Sequence, residues 1–395
     1  MCKPQNYDSY EVTFGKNGLE SLLAEIEEME ANSEWLPEVE TAGISVKTVD
    51  GRPLFVKEES EAIGADEEMT EETGITGSGL ALVLPNSRTV LLRDTAMPGL
   101  LGAGKIDGKW QSLVTKPEFC MIMNTIFPHV QTKRLVLVRW GKISAIHSQA
   151  DGGYEIIPIS AALEIAVDAL RKRFGQPAFT GGYNSHSRTE AIWELPEAQS
   201  KLCNAYQEAL DGTPSRVPIN FMPVVRFRSS DTATSAVTLV PGFRKPGDKA
   251  IISFVPGART EHSKRGKDAD ISGLEQFRED AAGIYSQFEK TMETIAKLKN
   301  IEIRHGCNTL VGLVKKLNIP RKYAEAARST MEMFTGGAAE APVTAHDLYL
   351  AMTECISEAV RSGASQKTIM TVEESVCRML NMDLSDYDKG GVVTW

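Results

Sequence analysis

The six cysteines of this 395-residue chain (Cys2, Cys120, Cys203, Cys307, Cys355 and Cys377) are scattered, and no two form a C-x-x-C pair. That spacing excludes the common zinc ribbons and thioredoxin-type redox motifs. A chain this long needs no disulfide to hold a core, so buried free thiols in a reducing compartment are expected. No uninterrupted apolar run reaches the roughly 18 residues of a membrane helix. The start, Met1 to Tyr7, lacks the apolar core of a secretory signal. Cytoplasmic residence is therefore the expectation. Catalytic motifs are missing too. There is no G-x-S-x-G elbow and no Walker loop. Gly99, Gly102 and Gly104 have the spacing of neither a phosphate loop nor a dinucleotide fingerprint, and read as a loop. Cys307 and His305 are too close in sequence to face each other as nucleophile and base. No catalytic residue, metal or cofactor is expected.

Charge is present but unevenly placed. Residues 1–75 hold 19 acidic and 5 basic side chains, a net of −14, although the whole chain carries only −10. Residues 76–395 are therefore a mildly basic body. In the leader, Leu19, Leu22, Leu23, Ile26 and Met29 recur at helical spacing between glutamates. A second acidic patch runs from Glu58 to Glu72. Gly74, Gly77 and Gly79 mark a soft boundary after it. The leader reads as a solvated acidic face, or as an arm that competes with nucleic acid for the body.

The body, 76–270, mixes strands and helices. Leu80–Leu84 and Thr89–Leu92 flank turn residues Pro85 to Arg88, a hairpin signature. Arg134–Ile146 reads as a strand pair broken at Gly141-Lys142, and Ser160–Phe174 as an amphipathic helix. The basic residues in its last turn, Arg171-Lys172-Arg173, complement the helix dipole. Val224–Arg228, Ser235–Val240 and Ala250–Val255 predict a three-stranded antiparallel meander. From 271 to 395 the pattern is helical. Ser272 and Glu275 form a capping-box signature. Leu274, Phe277, Ala281, Ile284, Phe288, Ile295 and Leu298 then make an apolar seam, with polar Thr291 within it. That seam can pack on its own domain or form an intermolecular coiled coil. The fold class expected is α+β: an antiparallel sheet body with flanking helices, followed by an all-helical region.

The densest basic stretch runs from Arg216 to Lys267, with ten basic residues against three acidic ones. Arg226 and Arg228 are two apart on a predicted strand, so they share one face, while Val225 and Phe227 point to the core. With Arg244, Lys245, Arg259, Lys264, Arg265 and Lys267 they could track a phosphate backbone. Phe221 and Phe243 could stack on unpaired bases. Three histidines precede serine, at His147, His186 and His262. If the strand ends converge, the imidazoles could meet at one rim. No close ligand pair supports a metal there.

Several segments resemble an uncharacterised family carried by phages, prophages, plasmids and integrative elements, a domain of unknown function. They are Gly141–Ser148, Phe179–Tyr183, His186-Ser187 leading to Trp193–Pro196, Ser230-Asp231-Thr232, Ile319–Lys322 and Thr344–Leu348. The resemblance implies a mobile-element setting in a bacterial host, often beside recombination and single-strand DNA functions. It assigns no catalytic role to any position. The expectation is a non-enzymatic nucleic-acid-binding protein, with single-stranded DNA as partner, no membrane, and self-association into a homo-oligomer. The alternative is a structural or host-defence-interacting phage protein that acts through protein contacts.

Overall fold

The computed structural model describes residues 5, 7–49, 77–149, 153–211, 216–232, 235–262, 271–338 and 341–391, together with the backbone of 54–56 and 62–64. The chain is α+β, as its pattern predicts. It opens with β1 (Glu11–Phe14), α1 (Leu19–Ala31), β2 (Ser33–Glu40) and β3 (Ser45–Thr48). β4 (Leu54–Val56) and β5 (Ala62–Gly64) form a two-stranded sheet of their own. Next come β6 (Leu80–Val83), β7 (Thr89–Leu92), α2 (Met97–Ala103), α3 (Lys116–Ile126), β8 (Lys133–Arg139) and β9 (Lys142–Ser148). These build a smaller sheet of order β2-β8-β9-β7-β6-β3, antiparallel except where β7 meets β9.

The larger unit follows: α4 (Ile159–Phe174), β10 (Ala178–Ser185), β11 (Thr189–Glu194), α5 (Gln199–Ala209), β12 (Met222–Ser229), β13 (Val237–Arg244) and β14 (Ala258–Thr260). Its sheet runs β1-β10-β11-β12-β13-β14, antiparallel throughout. The helical region is α6 (Gly273–Ala282), α7 (Ile284–Lys299), α8 (Gly306–Lys316), α9 (Arg321–Thr335), α10 (Ala345–Arg361) and α11 (Gln366–Arg378). A two-residue pairing of β15 (Glu302–Ile303) with β16 (Val343–Thr344) ties it together.

The period-2 pattern of β12 decides where the main core lies. Val225 and Phe227 are fully buried in the cluster that includes Leu163, Ala166 and Leu170 of α4, Leu202 of α5, Phe277 of α6 and Phe288 of α7. Each such large apolar side chain contributes on the order of 2 kcal/mol on burial. Arg226 and Arg228 take the opposite face, beneath α11. A second, smaller core fills the other sheet, where Leu82, Leu92, Val136 and Ile143 meet Leu100 of α2 and Met123 and Phe127 at α3.

Four expectations need correcting. The first 75 residues are not a separable leader. β1 completes the large sheet, β2 and β3 complete the small one, and Leu22, Ile26 and Met29 of α1 lie in the main core. The Glu58–Glu72 patch lies outside the described residues except for the backbone of 62–64. The third meander strand is β14 at 258–260, while 250–255 makes only an isolated bridge between Ile252 and Phe243. The apolar seam is interrupted at Gly283, and its buried residues, Thr291 included, face the chain's own core. Thr291 sheds its polarity by donating its hydroxyl to the Gln287 carbonyl at 2.9 Å. Gly99 and Gly102 sit in α2 and not in a loop. At Gly99 a Cβ would collide with the Ile146 carbonyl oxygen, so glycine lets α2 lie directly on β9.

Candidate nucleic-acid interface

The sheet places Arg226 and Arg228 on one face, as their spacing requires, but that face is not open. Glu373 of α11 sits over both. Arg226 Nη1 donates to the two Glu373 oxygens at 2.9 and 2.7 Å, and Arg228 Nη2 donates to Oε2 at 2.6 Å. Arg228 Nε also donates to Glu190 on β11. All four side chains are largely buried. Burial works against the Arg228 charge, but Glu190 and Glu373 outweigh it and raise its pKa. Burial would likewise raise the Glu373 carboxyl, yet the two guanidinium groups hold it below the usual range. Such a network is internally compensated and offers phosphate little net attraction.

The other expected contacts fare the same way. Arg244 Nη1 donates to Glu194 Oε1 at 2.6 Å, Lys245 pairs with Glu354, and Arg259 lies 2.7 Å from Glu261. Lys264, Arg265 and Lys267 lie outside the described residues. Phe221 and Phe243 are 1% and 0% exposed, so neither ring can stack on a base. The expected trough is corrected on physical grounds: every described cation of the set is neutralised by a carboxylate. The sequence concealed this because Glu190, Glu194, Glu354 and Glu373 are distant in the chain or on neighbouring strands.

The three His-Ser positions point inward where strand ends of the two sheets meet, but the imidazoles do not share one rim: His147 and His262 flank Tyr154, while the His186 ring packs against Tyr10 and Trp140. Arg139 at the end of β8 donates from Nη2 to Asp231 Oδ2 at 2.5 Å, from Nη1 to the His186 carbonyl at 3.3 Å, and from Nε to Ser33 Oγ at 2.9 Å. His147 Nε2–H donates to the Asp231 carbonyl at 2.8 Å, His186 Nε2–H to the Tyr7 carbonyl at 2.9 Å, and His262 Nδ1–H to the Glu155 carbonyl at 3.2 Å. A carbonyl can only accept, which fixes these ring nitrogens as protonated. Tyr154 is stacked between His147 and His262, with centroids 3.6 and 4.9 Å away.

Burial pulls the His147 pKa down to about 4 and that of His186 to about 3, the latter helped by Arg93 and Arg139. Burial lowers His262 as well. These are neutral imidazoles built into a polar junction. Among the described residues no group of three or more His, Cys, Asp or Glu side chains could hold a metal ion.

A different surface carries cations that have no carboxylate partner among the described residues. Arg171, Lys172 and Arg173 project from the last turn of α4, and Lys201 from α5; all four are exposed. The Arg173 guanidinium carbon lies 4.3 Å and the Lys201 Nζ 4.7 Å from the ring centroid of half-buried Tyr285 on α7. Sequence alone explained the Arg171-Lys172-Arg173 run by the helix dipole. It had no means of bringing Lys201 and Tyr285 to the same place.

No family model, curated protein or solved structure matches the chain. No helix among the described residues is long and apolar enough to cross a membrane.

Proposed function

We propose that this chain is a non-enzymatic nucleic-acid-binding protein that holds single strands through the surface at the end of α4. The observation that carries the reading is the set Arg171, Lys172, Arg173 and Lys201, exposed and free of ion pairs among the described residues, with Arg173 and Lys201 lying against the Tyr285 ring. Unpaired cations displace counterions from a phosphate backbone, and an aromatic ring can take a base of any sequence. The two cations already beside Tyr285 favour phosphate contact first, with stacking on whatever part of the ring remains open. The segments resembling a mobile-element family are consistent with that role. Three of them, at 141–148, 186–187 and 230–232, meet at the Arg139–Asp231 junction, where they support the framework and not the binding surface.

Retention of a labelled oligothymidylate by the full chain at about 50 mM salt tests the reading. Replacing Arg171, Lys172, Arg173 and Lys201 together by Ala should abolish retention. Each lost phosphate contact should flatten the salt slope by about 0.7. If the wild-type chain fails to retain the strand, or the quadruple variant retains it equally well, the proposal fails.

A further inference from the structure

Beside Glu373, α7, α11 and the segment after β13 line a half-open pocket of about 930 Å³. Cavities that take small organic ligands span roughly 300–1,000 Å³ and combine apolar walls with a few placed polar groups. This one has that make-up. Val255, Leu298, Ile301 and Leu380 supply apolar wall. Ile301 remains 44% exposed, although it is a large aliphatic residue.

The polar groups are unevenly satisfied. Arg226 and Ser253 both line the pocket and are 6% and 4% exposed, and among the described residues Arg226 Nε and Ser253 Oγ, themselves fully buried, have no hydrogen-bond partner. Lys297 and Arg378 add two exposed cations to the lining. Arg378 donates to the Glu374 carbonyl at 3.4 Å and to the Ser375 hydroxyl at 2.8 Å, and to no carboxylate among the described residues. Of the two carboxylates present, Glu373 is held by the sheet arginines and Glu374 lies 3.9 Å from Arg188.

We infer that this cavity binds an amphipathic organic anion of nucleotide size. Its apolar ring body lies against Leu298, Ile301 and Leu380, and its phosphate, sulfonate or carboxylate head faces Lys297 and Arg378. The inference does not depend on nucleic-acid binding at the end of α4, which is formed by other residues.

Anilinonaphthalene sulfonate, an aromatic anion of this kind, is the probe. Titrated into the native full chain, it should give one saturating fluorescence signal, displaced by adenosine monophosphate and not by inorganic phosphate alone. Ile301→Trp, which fills the mouth from an exposed position, should weaken binding at least about tenfold, and Lys297→Ala with Arg378→Ala about tenfold. The quadruple variant at the end of α4 should leave the titration unchanged. Absence of saturation, or wild-type titration of both cavity variants, overturns the inference. So does equal displacement by an uncharged naphthalene. Should Ile301→Trp fail to fold, the Lys297/Arg378 pair, exposed and outside the core, decides alone.

Discussion

Arg226 and Arg228 on β12 and Arg171 to Arg173 on α4 are alike as letters and opposite in the folded chain. The first pair is buried and meets Glu190 and Glu373; the second group is exposed and meets no carboxylate among the described residues. Local charge density pointed to the β12 stretch, where ten cations face three acids in sequence. The acids that matter arrive from elsewhere: Glu190 from the neighbouring strand, Glu373 from a helix almost 150 positions downstream of Arg226. A run of basic residues therefore becomes a binding surface only where topology brings no counter-charge to it.

The largest expected effect breaks the buried side of this contrast. Glu373→Ala leaves two guanidinium groups buried without their shared partner and should cost about 3–5 kcal/mol, read as a lower urea midpoint. Replacing Arg226, Arg228 and Glu373 together by apolar residues of similar volume should cost much less, because no charge is left stranded. Equal losses in the two variants would mean that packing, and not charge compensation, dominates this face.

Next in size is the response to acid. His147 and His186 have folded-state pKa values of about 4 and about 3, below the ordinary value near 6.5. The unfolded chain therefore takes up protons before the folded one does. Stability should be intact above about pH 6.5 and fall as the pH drops toward 4, by on the order of 3 kcal/mol for His147 alone. His147→Gln should make the stability profile shallower across that window. A profile unchanged by this substitution would show that His147 titrates as it does in the unfolded chain.

The exposed side should respond in function and barely in stability. Alanine at Arg171, Lys172, Arg173 and Lys201 should remove strand retention while shifting unfolding by about 1 kcal/mol, the loss of dipole and cation–π terms. A large loss of stability would recast the cluster as structural. Smallest of all, Arg88→Ala removes an exposed ion pair with Glu34 and should change stability by about 0.5 kcal/mol or less, checked by urea denaturation.

Local periodicity made much of the fold legible. The 80–92 hairpin, the break at Gly141-Lys142, the amphipathic α4, the Ser272 cap and the alternation on β12 are all short-range signals, and the structure contains each. Long-range pairing was not legible. Nothing near Glu11 or Ser33 announces that these strands belong to different sheets, because each pairing is set by partners more than a hundred residues away. The acidic composition of α1 suggested a detached arm, yet acid on its outer face is compatible with Leu22, Ile26 and Met29 being buried on its inner one. The serine neighbours of the histidines mark their positions, but their neutral state depends on burial, which no local motif encodes.

The distribution of β1, β2 and β3 has a practical corollary. Removing the first 48 residues would uncover the backbone edges of β10, β8 and β6 together. Bare strand edges recruit strands from other molecules, so a shortened chain should associate and precipitate instead of acting as a simpler binder. Any reduced version of this protein has to keep its beginning.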